Sequence, residues 1–279
     1  MIDLHAHSTA SDGSLSPTEL AETAVRAGLT TLALTDHDCA KGLPEFLAAA
    51  KPLGLRAIPG IELSAEVPSG QLHLVGLAFN YQDPALTARF ARLLGGRSER
   101  NALILEALNQ GGIAMTEAEV RAFAGDELVS RVHFAQALIA KGHASDVKDA
   151  FARFIAKGAP FYRDRFRYTP AECLEMIHAA GGVVMMAHPL SLTTDWVELD
   201  ARVAELKALG LDGMECYYST YDQETTLNLL RLARRHNLVP SVGSDFHGAP
   251  KPDIFLGRLP VPSETEAALL ALLARCANR

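Results

Sequence analysis

The sequence lacks features that several classes of protein require. Among its 279 residues no apolar run approaches the roughly 18 residues of a membrane span. The N-terminus shows neither the basic region nor the apolar stretch of a secretory signal. The four cysteines are far apart and have no Cys-x-x-Cys spacing, which argues against a disulfide framework. We therefore expect a cytoplasmic protein with no membrane association, and no obligate protein partner is evident.

An overall positive charge is also lacking. The net charge is −7, which argues against a protein whose whole surface binds nucleic acid. The charge is uneven, because residues 85–168 contain 13 Lys and Arg against 9 Asp and Glu, whereas the remainder contains 13 against 24. An acidic body suits cation binding and a more basic segment suits an anionic substrate, although ordinary surface variation produces similar differences.

Strand and helix patterns alternate at both ends of the chain, which is typical of an α/β fold. Ser16-Pro17-Thr18-Glu19 and Thr169-Pro170-Ala171-Glu172 are capping boxes that predict helix starts. Besides a short strand at the N-terminus, strands are predicted at 29–35, 56–63, 71–79, 183–187, 213–217 and 239–243. The order predicts a (β/α) barrel in which one unit is missing or distorted.

The segment 85–168 interrupts this alternation. It shows no good strand pattern, and helices are predicted at 85–94, 98–109, 117–123, 131–141 and 147–156. We interpret it as an all-helical insert between the two parts of a barrel domain, 1–84 and 169–279. A long insert between barrel elements commonly shapes a substrate pocket.

Potential metal ligands recur at the predicted strand ends. His5 and His7 are two residues apart in a strand, so both side chains point to the same face. Such a pair occurs without a metal too, but Asp36, His37, Glu62, His188, Asp245 and His247 also fall at strand ends, with Asp12 in the first loop. His73 lies near a strand start, and would share the rim only if that strand runs antiparallel to its neighbour. A cluster of this kind is tolerable only with cations bound.

In that order these residues resemble the motifs of the PHP (polymerase and histidinol phosphatase) phosphoesterases. The motifs are His5-Ala6-His7, Asp12, Thr35-Asp36-His37, Glu62, His73, Ala187-His188-Pro189 and Ser244-Asp245-Phe246-His247. The resemblance implies a distorted (β/α)7 TIM-like barrel that binds two to three divalent metal ions. Many members have His where this chain has Asp12, and an oxygen ligand favours a harder ion, so we expect Mn²⁺, with Zn²⁺ or Fe²⁺ as alternatives.

The resemblance also implies how the ligands are shared. His5, His7, Glu62 and Asp245 would hold one ion; Glu62 would bridge to a second held by His73 and His188; Asp12, His37 and His247 would hold a third. Asp36 is expected to orient a neighbouring histidine. A metal-bridging hydroxide would attack phosphorus, and His37, His247 or a water on the third ion would protonate the leaving group.

The stretch Ser130-Arg131-Val132-His133 and the position of the insert narrow the resemblance to small bacterial phosphoesterases. These act on nucleoside 3′,5′-bisphosphates, and related members trim short RNA from its 5′ end. We expect a phosphorylated nucleotide as substrate. Its expected contacts are Ser130, Arg131 and His133, then Lys157 and Tyr162, with a base stacked on Phe161 or Tyr162. A solvated Arg131 and a packing His133 are the structural alternative.

Other functions are compatible with the same sequence. One is a 5′–3′ exonuclease on short RNA or DNA, although the acidic body lacks a basic track. Another is histidinol-phosphate phosphatase. A third, from a different class, is a catalytically silent metal-binding or RNA-binding module, against which the complete ligand set argues.

Overall fold

The computed structural model describes residues 1–124 and 129–276 of the protein. The chain forms two compact units, one from Met1–Phe90 with Tyr168–Arg279 and one from Ala91–Arg167. The sequence predicted an insert over 85–168, which starts six residues earlier and ends one residue later than the second unit. Within the described ranges, no helix combines the length and the apolar character needed to cross a membrane.

The first unit contains a seven-stranded sheet whose strands pair in chain order. The strands are β1 Ile2–Asp3, β2 Thr31–Leu34, β3 Arg56–Ala65, β4 Leu72–Leu77, β5 Val183–Met186, β6 Gly213–Tyr218 and β7 Val239–Gly243. Neighbours are parallel except at β4, which runs antiparallel to both β3 and β5. This reversed strand is the distortion that the sequence predicted in the barrel.

The two end strands meet beyond β1 and nearly close the barrel. Ala6 and Phe246 form a parallel bridge. The amide of His7 donates to the carbonyl of Phe246 at 2.9 Å, and the amide of Asp245 donates to the carbonyl of His5 at 2.8 Å. The regular strand ends at Asp3, so the prediction that His5 and His7 lie within it was wrong. They sit on either side of the bridged Ala6 instead, at the mouth of the barrel.

Helices connect the strands and form the second unit. They are α1 Pro17–Arg26, α2 Leu43–Ala50, α3 Pro84–Gln110, α4 Glu117–Ala124, α5 Arg131–Ala140, α6 Val147–Ala150, α7 Pro170–Ala179, α8 Trp196–Ala208, α9 Gln223–Arg235 and α10 Ser263–Cys276. Both predicted capping boxes are present: the amides of Ser16 and Thr169 donate to Glu19 and Glu172 at 2.8 Å. In the barrel unit, Ala33, Met185 and Val242 on the strands share one apolar cluster with Leu269 of α10.

The second unit has its own apolar core, which includes Ile104, Leu108, Phe134, Leu138 and Ile155. The sequence predicted two helices, 85–94 and 98–109, where the structure has the single helix α3. A Cβ on Gly96 would lie 3.0 Å from the Cβ of Phe166, so this glycine permits a close approach and does not end the helix. After α6 the chain continues as a π-helix over Phe151–Ile155, where an α-helix was predicted.

Candidate metal centre

Four side chains meet where β1, β3 and β7 end. The Nε2 atoms of His5 and His7 are 3.1 Å apart, and both rings are fully buried. Glu62 Oε2 lies 3.3 Å from each of these atoms. Asp245 Oδ1 lies 3.3 Å from His7 Nε2 and 3.6 Å from His5 Nε2. Two nitrogens and two oxygens thus face one point, although their carriers are up to 240 residues apart in the chain.

Glu62 joins this group to a second one. Its Oε1 atom lies 2.8 Å from His73 Nδ1 and 2.9 Å from His188 Nε2. The antiparallel register places His73 of β4 opposite Ser64 of β3, two residues beyond Glu62. Because β4 runs antiparallel to β3, its start lies on the same rim as the end of β3. This is the condition under which the sequence predicted that His73 joins the metal site.

Asp12 forms a third group with His37 and His247. Asp12 Oδ1 lies 3.4 Å from His247 Nε2, and Asp12 Oδ2 lies 3.7 Å from His37 Nε2. His7 Nδ1 approaches the same carboxylate at 3.7 Å. His37 also contacts Glu62, with its Nδ1 atom 2.9 Å from Oε2, and so links this group to the others.

The structure brings all nine expected ligands to one rim of the barrel. Their ligand atoms form four overlapping groups within 4.8 Å: His7, Asp12, His37, His247; His5, His7, Asp245; His5, Glu62, His188; and His37, Glu62, His73. Imidazole nitrogens and carboxylate oxygens are ligands for Mn, Fe and Zn ions. The Glu62 carboxylate is fully buried and surrounded by imidazoles, and together these groups provide ligand atoms suited to divalent cations. The share of each residue in a particular ion stays a prediction.

Burial and neighbouring charges shift the pKa values of these side chains, and the shifts favour cation binding. Burial and repulsion by His247 lower the pKa of His7 to about 4, so its ring is neutral at pH 7. Burial lowers the pKa of His5, but the carboxylates of Glu215, Glu62 and Asp245 together raise it well above its usual value. Burial opposes ionisation of Glu62, yet the surrounding histidines hold its pKa well below the ordinary range. A cation that binds here therefore replaces a proton on His5.

Glu215 of β6 is a functional residue that the sequence reasoning missed. It is 2% exposed; Oε1 lies 2.7 Å from His5 Nδ1, and Oε2 accepts the amide of His188 at 2.6 Å. A Cβ on Gly243 would lie 2.2 Å from Oε1 and 2.4 Å from the Cβ of His5, so only glycine fits beside this pair. The available signal was a glutamate inside an otherwise apolar strand.

Tyr218 and Lys251 were also missed. The hydroxyl of Tyr218 and the ammonium of Lys251 each donate to Asp245 Oδ2 at 2.6 Å. Both side chains line a cavity of about 370 Å³ beside His73 and His188. Lys251 adds a positive charge to a cavity that is otherwise rich in carboxylates and imidazoles, and its ammonium has further hydrogens that can donate to a phosphoryl oxygen.

We expected Asp36 to orient a neighbouring histidine, but its hydrogen bonds go to two serines instead. Its carboxylate accepts hydrogen bonds from the amide and hydroxyl of Ser8 at 2.8 and 2.7 Å, and from the hydroxyl of Ser11 at 2.6 Å. Ser11 Oγ in turn lies 3.5 Å from His7 Nδ1. Asp36 thus fixes the loop between His7 and Asp12, and reaches the histidine only through a serine.

The five expected substrate contacts all belong to the second unit. Ser130 precedes α5, and its amide donates to Nδ1 of the buried His133 at 3.1 Å. The guanidinium of Arg131 lies 5.5 Å from the ring centre of Tyr162, and Lys157 is exposed. Phe161 stacks on Phe154 at 6.1 Å between ring centroids, against the apolar core, which favours Tyr162 as a stacking platform. Their roles toward a substrate stay predictions.

The barrel and the rim of histidines and carboxylates together define a metal-dependent phosphoesterase. The model of the PHP domain matches residues 3–156, which is more than half of the sequence. The chain belongs to the PHP family.

Comparison with individual proteins agrees with this. The chain is 39% identical over 248 residues to a 5′-3′ exoribonuclease of Haemophilus influenzae, covering 88% of this chain and 89% of that protein. It is 34% identical over 247 residues to a 3′,5′-nucleoside bisphosphate phosphatase of Chromobacterium violaceum, covering 88% and 87%. The structure of an amidohydrolase from Chromobacterium violaceum, with bound sulfate and no metal, superimposes with a TM-score of 0.86 at 31% identity, covering 98% and 96%.

Proposed function

We propose that the protein hydrolyses the 3′-phosphate of nucleoside 3′,5′-bisphosphates, for example adenosine 3′,5′-bisphosphate to AMP and phosphate. The observation that carries this proposal is the convergence of six imidazoles and three carboxylates on one rim of the barrel, beside a cavity that five of them line: His37, Glu62, His73, His188 and Asp245. Divalent cations, when bound there, lower the pKa of a water and polarise a phosphoryl oxygen, which is the chemistry that phosphate ester hydrolysis requires. The printed activity of the Chromobacterium violaceum relative supports the choice of substrate.

In this reaction the oxygen of a water forms a bond to phosphorus while the bond from phosphorus to O3′ breaks. The electron pair of that bond stays on O3′, which takes up a proton, and inorganic phosphate leaves. Lys251 is about two-fifths exposed, so its ammonium can reach a phosphoryl oxygen and offset the charge that develops there. Tyr218 donates to the same carboxylate as Lys251 and holds it in position.

His37 and His247 are the two candidates for giving the proton to O3′. His247 Nδ1 lies 2.9 Å from the carbonyl oxygen of Asp245 and donates its hydrogen there, and in that tautomer the lone pair is on Nε2, on the side of Asp12. A lone pair suits a ligand better than a proton donor. His37 lines the cavity with its side chain 19% exposed, so it is the better candidate for the proton transfer.

The expected contacts with the remainder of the nucleotide are part of this proposal. We assign Ser130, Arg131 and His133 to the phosphate that is not hydrolysed, because a guanidinium at the start of a helix adds a fixed charge to free backbone amides. Tyr162 would stack on the base, and Lys157 would add a second cation.

A second candidate is 5′–3′ exoribonuclease activity on short RNA, the printed activity of the Haemophilus influenzae relative at 39% identity. The two reactions differ less than their names indicate. Release of 5′-mononucleotides from RNA also breaks a bond between O3′ and phosphorus, with the 3′-oxygen of the first nucleotide as the leaving group. Only one other oxygen on phosphorus differs: it is a terminal phosphoryl oxygen in the bisphosphate and is esterified to the next nucleotide in RNA. The basic surface track that a long nucleic acid requires is not needed to bind a short strand.

The decisive experiment compares three substrates with Mn²⁺-loaded protein. Adenosine 3′,5′-bisphosphate, a 5′-phosphorylated oligoribonucleotide and histidinol phosphate are incubated separately, and the products are separated by chromatography. We expect AMP and phosphate in equal amounts from the first substrate, at the highest kcat/KM of the three. Preference for the oligonucleotide would establish the second candidate, and preference for histidinol phosphate would exclude both.

Two controls complete this test. Glu62→Gln should abolish phosphate release, whereas Glu224→Gln, an exposed residue of α9, should leave it intact. Hydrolysis in ¹⁸O-labelled water should place the label in phosphate and not in AMP, because the attacked atom is phosphorus. Phosphate release that survives Glu62→Gln would point to a contaminating enzyme or to a site elsewhere. Binding of Mn²⁺ without hydrolysis of any substrate would favour a silent module.

A further inference from the structure

A short turn directly after β5 carries a serine whose hydroxyl contacts one of the expected metal ligands. The segment Pro189–Ser191 forms a 3₁₀ turn, and the amide of Ser191 donates to the carbonyl of His188 at 2.9 Å. In this geometry side chains three residues apart lie on one face. The hydroxyl of Ser191 therefore returns to the ring of His188, where its Oγ atom lies 2.8 Å from Nδ1. The other ring nitrogen, Nε2, faces Glu62 Oε1 at 2.9 Å.

The same hydroxyl also reaches the loop between β3 and β4. Ser191 Oγ donates to the carbonyl of Gln71 at 3.0 Å, and the amide of Gln71 donates to the carbonyl of Ser191 at 3.0 Å. Gly70 makes this approach possible, because a Cβ there would lie 1.9 Å from the carbonyl oxygen of Leu192. His73 follows Gln71 by two residues, so the contact joins the segment of His73 to the turn after β5.

The direction of these hydrogen bonds fixes the tautomer of His188. A serine hydroxyl has one hydrogen, and the carbonyl oxygen of Gln71 can only accept. If that hydrogen pointed to the ring instead, two oxygen atoms would face each other at 3.0 Å with no hydrogen between them. The hydroxyl therefore donates to Gln71 and accepts from His188, so Nδ1 carries a hydrogen. In a neutral imidazole the lone pair is then on Nε2, the nitrogen that faces Glu62.

Tertiary contacts hold the backbone of this turn in place. The amide of His188 donates to Glu215 at 2.6 Å, and the amide of Leu190 donates to the hydroxyl of Tyr221 at 3.2 Å. His188 has a φ of 25°, in the left-handed region that residues other than glycine rarely adopt. Such a conformation persists only where the surrounding structure holds it. The fold, and not a local preference, therefore places Ser191 beside the ring.

We propose that Ser191 is a positioning residue of the metal centre. Its hydroxyl holds His188 as the tautomer that presents Nε2 to a cation beside Glu62, and it ties this ring to the strand that carries His73. The ring centroids of His73 and His188 are 5.1 Å apart. A hydrogen bond from the second ring nitrogen is how proteins orient most metal-binding histidines. The role toward a cation rests on the proposed function, whereas the tautomer of His188 does not.

Loss of this hydroxyl should affect one ion more than the others. His73 and His188 both contact Glu62 Oε1, so a misplaced His188 ring disturbs this ligand group directly. By contrast, the ligand group around Asp12 is formed without His188. A selective loss therefore distinguishes a positioning residue from one that only stabilises the fold, because a destabilised fold would weaken the binding of every ion.

The first test measures the tautomer in metal-free protein. Histidine labelled with ¹⁵N in the ring is incorporated, and NMR correlations through the ring bonds show which nitrogens carry hydrogen; His188→Gln identifies the signals of His188. We expect a hydrogen on Nδ1 of His188 in the wild type, and we expect it to exchange with water faster in Ser191→Ala. An Nδ1 atom without hydrogen in the wild type, or an unchanged exchange rate in Ser191→Ala, would overturn the proposal.

The second test measures metal affinity without substrate. Metal-free protein is titrated with Mn²⁺, and free Mn²⁺ is measured by electron paramagnetic resonance. Ser191→Ala should weaken the binding of one ion by about tenfold, the lower end of the usual loss, because water can replace an exposed hydroxyl. Ser191→Thr keeps the hydroxyl and has room for a methyl group at this exposed position, so it should bind Mn²⁺ as the wild type does.

A matched control and two outcomes decide this titration. Ser69→Ala removes an exposed serine hydroxyl from the same loop and should leave Mn²⁺ binding unchanged. Wild-type affinity in Ser191→Ala, or an equally large loss in Ser191→Thr, would show that the hydroxyl does not position His188.

The third test concerns the reaction. Phosphate release from adenosine 3′,5′-bisphosphate is measured as a function of Mn²⁺ concentration. The Mn²⁺ concentration that gives half the maximal rate should rise about tenfold in Ser191→Ala, whereas kcat at saturating Mn²⁺ should stay near that of the wild type. A kcat that stays low at saturating Mn²⁺ would refute a role through metal binding. If the wild type does not hydrolyse this substrate, the proposed function fails, and the NMR measurement and the titration decide on Ser191.

Discussion

Replacing Glu215 by glutamine tests whether a residue outside the ligand set controls the metal centre. The carboxylate accepts from His5 Nδ1 at 2.7 Å and from the amide of His188 at 2.6 Å, and it is 2% exposed. A glutamine of the same shape offers one oxygen and one NH2 group. In either orientation the NH2 group faces a donor, either His5 Nδ1–H or the amide of His188. One of these two histidines therefore loses its hydrogen bond to residue 215.

The magnitude follows from these contacts. Loss of a carboxylate that orients a metal-binding histidine typically costs about 10- to 100-fold in metal affinity, or about 1.4–2.8 kcal/mol. A second effect opposes the first, because Glu215 contributes to the raised pKa of His5 and its removal reduces competition by protons. That competition matters below the pKa of His5 and disappears above it. The net loss should therefore be larger at alkaline pH than at pH 6.5.

The assay is titration of metal-free protein with Mn²⁺, in which free Mn²⁺ is measured by electron paramagnetic resonance at two pH values. Glu224→Gln is the matched control, because it removes the same charge from an exposed position on α9. A Glu215→Gln protein that folds normally and binds Mn²⁺ within twofold of the wild type at alkaline pH would refute the reasoning.

Three further predictions concern the same unit. Gly243→Ala places a Cβ 2.2 Å from Glu215 Oε1 and should lower the free energy of unfolding by about 1–3 kcal/mol through overpacking, measured by urea titration; unchanged stability would contradict the packing. Burial raises the pKa of Asp3 from 3.8 to about 6, so its stabilising protonation is complete below pH 3.8 and lost as pH rises through 6. Asp3→Asn should therefore gain up to about 3 kcal/mol relative to wild type between pH 4 and 7, whereas Asp253→Asn at an exposed site should gain nothing. Dialysis against a chelator should abolish hydrolysis and added Mn²⁺ should restore it, measured by phosphate release; activity that persists without metal would exclude the proposed centre.

The sequence was sufficient for the fold class, the family and the rim on which the ligands meet. The rule that chemistry sits at strand ends was enough for Asp245 and His188, because each follows an apolar strand directly. His73 needed one additional condition, a reversed β4, and the register of β3 and β4 satisfies it. Local patterns thus predicted which side chains converge, although they left the metal and the substrate open.

The errors arose where distant parts of the chain decide local structure. Gly95-Gly96 has the composition of a helix stop, and only Phe166, 70 residues later, shows why a glycine stands within α3. Glu215 was missed because its partners, His5 and His188, follow β1 and β5 and are far from it in the chain. Arg100 lies in an ordinary helical pattern, and only its burial marks it as different from a solvated arginine.

The hydrogen bonds between the residues that follow β1 and those that follow β7 have a consequence for the synthesis of the protein. His5 leaves the ribosome about 240 residues before Asp245, and the hydrogen bond from the amide of Asp245 to the carbonyl of His5 forms only after both are available. A nascent chain therefore carries His5 and His7 without their complete set of neighbouring ligands until Asp245 and His247 have been synthesised. Contacts across such a separation form late and slowly compared with local ones. Hydrolytic competence should consequently appear only after Asp245 and His247 have been added, so that fragments that end before Asp245 remain inert.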